Sequence, residues 1–253
     1  MDKQEATKPP VSFPLKPPGQ AKVWKVVECA KKGSKEAPIK FSIQEIPEDR
    51  YQDVIDHMCA YFIPDEPICS CMNGKDDPEY VGTFKALWTE FLQQGLSVGA
   101  FVEDPNGGKP ILAGCNVLGL SFEGEKIDYD NFKSERGQNV MEVIIEFTKR
   151  ADVYQKYGVD RYLTAIGLSV HPSYRGAALG AHILNARVNI GCEYNIPVTS
   201  TVFTSPISQK LAARCGYEVL LEVDYDDIVD GEGKKIFPGI QVKTMKVMAR
   251  RLQ

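Results

Sequence analysis

Apolar and polar residues alternate through residues 39–46 (IKFSIQEI), the two-residue period of a half-buried strand. The period then changes. A proline and acidic residues open the next stretch, as a first helical turn prefers, and Val54, Ile55, Met58, Tyr61 and Phe62 recur at helical spacing. A second helix is expected over about 79–93, on a stripe of Val81, Phe84, Leu87, Trp88, Phe91 and Leu92. LSVGAFVED and PILAGCNVLGLSF read as an antiparallel pair joined through the turn-rich DPNGGK. Residues 121–138 are polar and predict no element, and a helical pattern resumes from Val140 to Tyr157. Strands are expected at 161–170 (RYLTAIGLSV), 197–203 (PVTSTVF), in YEVLLEVDY and in IQVKTMKVMA. Helices are expected from the small-residue turn after Val170 to about Gly191, and over 205–215 before Gly216. Antiparallel hairpins early and βαβ units late predict an α/β chain with one central mixed, mostly antiparallel sheet flanked by helices.

Composition sharpens this picture in a few places. With 253 residues, 43% of them hydrophobic, the chain can bury one full-sized core. Five of its sixteen prolines fall in the first twenty residues, so residues 1–38 are expected as a flexible Pro/Lys-rich extension, with KVWKVVEC a candidate edge strand inside it. A single domain is expected over 39–253. The net charge of -4 argues against nucleic-acid binding through phosphate neutralisation. No apolar run reaches membrane-spanning length, and the first twenty residues have no signal-like apolar core. Seven cysteines, an odd and irregular set, are then expected as reduced thiols of a cytoplasmic protein, with Cys192 and Cys215 buried. Cys69 and Cys71 stand too close for a zinc knuckle, and His57, His171 and His182 complete no ligand spacing, so no metal is expected.

The chemistry concentrates in LSVHPSYRGAALGAHIL, residues 168–184. A buried strand ends at Val170, and small residues from Gly176 to Ala181 open a helix, so an anion can approach the backbone amides of a helix start. A tight packing junction is the competing reading. A P-loop is excluded, because its lysine and hydroxyl positions hold Ala181 and His182. A dinucleotide fingerprint is excluded by the Gly176-x-x-x-Gly180 spacing and the late position in the chain.

This stretch resembles the [RQ]-x-x-G-x-[GA] motif of the GCN5-related N-acetyltransferases. The order of elements and the late RCGYEVL, similar to the superfamily's helix-to-strand signature, strengthen this resemblance, which covers roughly residues 39–249 and is narrower still to the insect arylalkylamine N-acetyltransferases. The motif falls on Arg175, Gly176, Ala177, Ala178, Leu179 and Gly180, with Ala178 where the family has its first glycine. The resemblance implies the acyl-CoA N-acyltransferase fold and acetyl-CoA as cosubstrate. Backbone around Leu168, Ser169 and Val170 would hold the pantetheine arm, and Arg175 through Ala181 the pyrophosphate. It further implies a catalytic carboxylate at Glu66, in IPDEPICSC, with Pro67 beside it, and Tyr61 and Phe62 as walls of the amine pocket. The superfamily's frequent tyrosine acid is absent, its position being Ala212. The branch's serine pair falls on Thr204 and Ser208, for which capping or a helix-surface position is an equal reading. Aromatics at Tyr80, Phe84 and Trp88 can wall the pocket or fill the core, and the segment 127–137 is expected as a loop over the amine site.

Three functions remain open: acetylation of an arylalkylamine (dopamine, tyramine, octopamine, serotonin or tryptamine type), acetylation of a polyamine, agmatine or another amine, or coenzyme binding with weak catalysis. The expected partner is a small-molecule amine, with no nucleic acid and no membrane. The expected state is a monomer, with a weak dimer as the alternative.

Overall fold

A computed structural model describes residues 15, 19–31, 33, 37–125 and 133–253. One eight-stranded sheet runs through the molecule, built from β1 (Val23–Cys29), β2 (Ile39–Glu45), β3 (Val98–Val102), β4 (Ile111–Phe122), β5 (Arg161–Val170), β6 (Val198–Phe203), β7 (Glu218–Asp224) and β8 (Thr244–Arg251). Their spatial order is β1-β2-β3-β4-β5-β6-β8-β7. Every neighbouring pair is antiparallel except β5 and β6. The extension expected at the N-terminus is therefore ordered over β1, which pairs with β2 from Val23–Gln44 to Cys29–Ile39; residues 1–14 lie outside the described residues.

Helices cover both faces. On one lie α1 (Tyr51–His57), continued by a π-helical turn over Met58–Phe62, then α2 (Pro67–Cys71), α3 (Pro78–Gln93), α4 (Glu135–Ala151) and α5 (Val153–Tyr157). Helix α3 starts sharply because Asp77 accepts hydrogen bonds from the Glu79 and Tyr80 amides, with Pro78 at the first position. Its residues Tyr80, Phe84, Trp88 and Leu92, four apart, form one buried face. The other face carries α6 (Leu179–Glu193), whose Leu179, Ile183, Ala186 and Ile190 pack on β1–β5, and α7 (Pro206–Arg214), packed on β6 and β8 around Ala212.

The helical pattern expected over 140–157 is two helices, because Asp152 at φ 43° turns the chain left-handed between them. Helix α4 also starts earlier than expected, capped by Ser134; the part of the expected amine-site loop at 127–132 lies outside the described residues. Residues 240–243, expected in the last strand, precede it.

Two irregularities shape the site. Strands β5 and β6 pair at Leu163–Thr199, and the Thr199 hydroxyl donates to the Leu163 carbonyl at 2.8 Å. Leu163–Thr199 is the one pair that joins the two strands among the described residues, and beyond it they part. On the other edge of β5, Asn116 pairs with Leu168 and Leu118 with Ala165, so β5 advances three residues while β4 advances two. This bulge at Ile166–Gly167 frees backbone from the ladder.

Candidate active site

A cavity of about 1460 Å³ opens at the fork. Its walls include Leu168, Ser169 and Val170 of β5, Arg175, Gly176 and Ala178 to Ala181 at the start of α6, Thr204 and Ser208 at the start of α7, and Tyr61, Phe62, Glu66 and Pro67 across the sheet. Of the residues expected at the site, only Ala177 is not on the wall; its methyl packs against the core beneath α6. Tyr80 and Trp88 are fully buried, whereas Phe84 also reaches the cavity.

The start of α6 is built to leave amides free. Asp77, Ser134 and Ser205 cap α3, α4 and α7 with side chains, but Ala178 at the head of α6 offers no such bond. An oxygen anion can take those donors with help from the helix dipole. Ala178 sits at φ 59°, in the left-handed region. Alanine there carries backbone strain that glycine would not. Arg175 donates from Nε to the Val170 carbonyl at 2.8 Å and pairs with Asp65 at 2.7 Å, tying the α6 turn to the segment that carries Glu66.

Glu66 is the N-cap of α2. Oε2 accepts from the Cys69 amide at 2.7 Å, while Oε1 is buried with no hydrogen-bond partner among the described residues. An orphaned buried carboxylate oxygen is costly, and Glu66 lines the cavity. Around it the thiols stay protonated: burial, and after it the Glu66 charge, raise both Cys69 and Cys71 above the usual range. Burial likewise raises Tyr80, whose hydroxyl donates to Cys69 Sγ at 3.3 Å. Glu66 is thus set among neutral groups. Among the described residues no cluster of His, Cys, Asp and Glu side chains could hold a metal ion. Cys192, expected buried, is exposed.

The bulge is held by side chains. Trp88 Nε1 donates to the Ile166 carbonyl at 2.9 Å and Asn116 Nδ2 to the Gly167 carbonyl at 2.8 Å. Gly167 has φ +109°, and a Cβ there would stand 2.6 Å from Met58 Cε and 2.9 Å from the Phe62 ring.

Two side chains to which the sequence assigns no role here, His57 and Arg187, also belong to this region. His57, buried on α1, lies 3.1 Å by Nε2 from the Ser169 hydroxyl. Burial first, then the charges of His171 and Arg175, lower its pKa to about 4, so it is neutral near pH 7. Tyr61 packs edge-on against both His57 and His171. Arg187, in the middle of α6, is 1% exposed yet lines the cavity at the fork. No local signal marks it, since an arginine inside a helix reads as surface. Ser208 donates to the Ser205 carbonyl at 2.9 Å in a reciprocal capping box, and the Thr204 carbonyl accepts from Tyr225 at 3.0 Å.

No family model matches the sequence, and no curated protein matches it. Solved structures do. A yellow fever mosquito (Aedes aegypti) protein, provisionally assigned as arylalkylamine N-acetyltransferase 7, superimposes with TM-score 0.83 at 31% identity, over 92% of this chain and 96% of that one. The chain belongs to the arylalkylamine N-acetyltransferase family, within the GCN5-related N-acetyltransferases. It is thereby an amine N-acetyltransferase dependent on acetyl-CoA. Arylalkylamine N-acetyltransferase 2 of Aedes aegypti (TM-score 0.74, 21% identity, 84% of this chain and 99% of that one) shares the fold. So does a Drosophila melanogaster polyamine N-acetyltransferase that forms N-acetylagmatine (TM-score 0.72, 18% identity, 83% and 99%). Among the described residues no helix is long and apolar enough to cross a membrane.

Proposed function

We propose that the protein transfers the acetyl group of acetyl-CoA to the primary amine of an arylalkylamine, both substrates being bound together. The observation that carries this reading is that Glu66, whose Oε1 has no hydrogen-bond partner among the described residues, lines the same cavity as the uncapped start of α6. The coenzyme supplies an activated acetyl thioester. The amides at the start of α6 suit its diphosphate, and the parted edges of β5 and β6 suit the amide-bearing arm. An alkylamine is mostly protonated at neutral pH and must lose a proton before it can attack. The Glu66 carboxylate would take that proton, directly or through water. Phe62, Phe84 and Phe91 on the same walls suit an aryl group. Ser208, its hydroxyl held by the capping box, and Thr204 remain candidates to steady the departing sulfur. Free thiols at all seven cysteines accord with a cytoplasmic setting.

Glu66→Gln keeps the cap to Cys69 through its amide oxygen and removes the base. It should lower kcat/KM about a hundredfold or more near neutral pH, with a smaller loss at high pH where free amine is abundant, and spare CoA affinity. Equal rates for both proteins across pH would remove Glu66 from the chemistry. A second reading, a di- or polycationic amine, is favoured by Glu90 and Glu125 on the α3–α4 limb of the same cavity. Thiol release from acetyl-CoA with dopamine, tryptamine, spermidine and agmatine separates the readings. Release with aromatic amines only supports the first and with polyamines only the second; none, despite CoA binding, leaves a coenzyme-binding protein.

A further inference from the structure

Arg187 is a cation at the centre of the molecule with only neutral partners. Nε donates to Asn116 Oδ1 at 2.9 Å, and Nη1 donates to the hydroxyls of Thr199 at 3.1 Å and Thr201 at 3.4 Å. Tyr217, its hydroxyl buried and neutral, lies beside the guanidinium. Among the described residues no carboxylate forms an ion pair with it. Guanidinium does not lose its proton in proteins, so this is a standing positive charge in a low-dielectric region. Burying an ion without a counter-ion costs several kcal/mol by order of magnitude, and apolar residues of like volume would fill the space better. Such a cost points to an anion that is present only part of the time.

Its place identifies that anion. Thr199 is where β5 and β6 last pair, so Arg187 sits at the closed end of the fork. It lies eight residues beyond Leu179, about 12 Å along the helix at ~1.5 Å per residue. A pantetheine arm anchored by its diphosphate at the start of α6 and laid into the fork brings its sulfur to that depth. Through Asn116, the same guanidinium also holds the Gly167 carbonyl and with it the bulge facing the arm.

Resting on the acetyl-CoA reading, we infer that Arg187 is the electrostatic acceptor for the coenzyme's departing thiolate, standing in for the acid that Ala212 cannot provide. When the amine nitrogen bonds to the acetyl carbon, the carbon–sulfur bond breaks and its electron pair goes to sulfur. The ammonium loses one proton before attack and a second afterwards; the thiolate, held by the Arg187 field, takes one back. One proton is released net. No group need protonate sulfur in the bond-breaking step, because a preorganised charge already stabilises the anion.

The test needs only the free thiol form of the coenzyme. CoA and desulfo-CoA, which lacks the sulfur, are titrated onto the wild-type protein from about pH 7 to pH 10, the range around an ordinary thiol, while thiolate absorbance is followed. The bound thiol should ionise at least about one unit below free CoA, so that CoA gains roughly tenfold over desulfo-CoA as pH rises. In Arg187→Met that gain should vanish, and kcat for acetyl transfer should fall about tenfold to a hundredfold with a smaller change in the acetyl-CoA KM. Arg187→Lys should keep part of both. A loss of packing alone would weaken CoA and desulfo-CoA equally and leave the thiol shift intact. A bound thiol that ionises like free CoA in the wild-type protein overturns the inference without any variant, as does an unchanged shift in Arg187→Met. Failure of the wild-type protein to bind either compound would instead overturn the acetyl-CoA reading and the inference with it.

Discussion

Gly167→Ala tests the bulge between β5 and β4. Two costs add. Holding a Cβ at φ +109° is a strain of about 1–3 kcal/mol, since that backbone region is open to little besides glycine. The new methyl would also stand 2.6 Å from Met58 Cε and 2.9–3.0 Å from the Phe62 ring. Met58 can turn its flexible end aside, but Phe62 is wedged edge-on against Trp88, so overpacking adds about 1–3 kcal/mol. The sum is about 2–6 kcal/mol, a large part of the 5–15 kcal/mol typical of a folded protein. Urea unfolding followed by tryptophan fluorescence should show the midpoint falling with little change in slope. Gly180→Ala is the control. Gly180 has no left-handed φ, and its nearest neighbours lie at 3.5–3.8 Å, ordinary contact. A methyl there should leave stability within about 1 kcal/mol, helix propensity favouring alanine, while crowding the diphosphate and weakening CoA binding. The reasoning fails if Gly167→Ala unfolds within about 1 kcal/mol of the wild type, or if Gly180→Ala loses as much stability as it does.

Two further substitutions probe the same region. Ala178→Gly should raise stability by roughly 0.5–1 kcal/mol, because relief of left-handed strain of about 1–2 kcal/mol outweighs the 0.5–1 kcal/mol entropic cost of glycine; a lower melting temperature would contradict this. His57 is neutral when folded, with a pKa of about 4, and accepts a proton near pH 6.5 when unfolded. Its contribution is therefore complete above pH 6.5 and is lost as pH falls toward 4, by a few kcal/mol at ~1.4 kcal/mol per unit. His57→Gln should flatten the fall of stability across that window, and parallel curves for the two proteins would refute the assignment.

Much of the scaffold was legible along the chain. Period two marked the strands and period 3.6 the helices, because each repeat is set by residues within a turn or two of one another. The small-residue turn from Gly176 to Ala181 was legible for the same local reason, and Glu66 and Pro67 came through the family likeness rather than through any pattern. What only tertiary structure decided is which strands stop pairing and what that exposes. The fork depends on β5 and β6 becoming parallel neighbours across α6, and the bulge at Gly167 on a register set by β4. Arg187 and Asn116 lie 71 positions apart in sequence, and His57 and Ser169 are 112 apart. Side-chain type alone placed both His57 and Arg187 with the unremarkable residues, because burial and partnership are properties of the packed fold and leave no mark in the local order of residues.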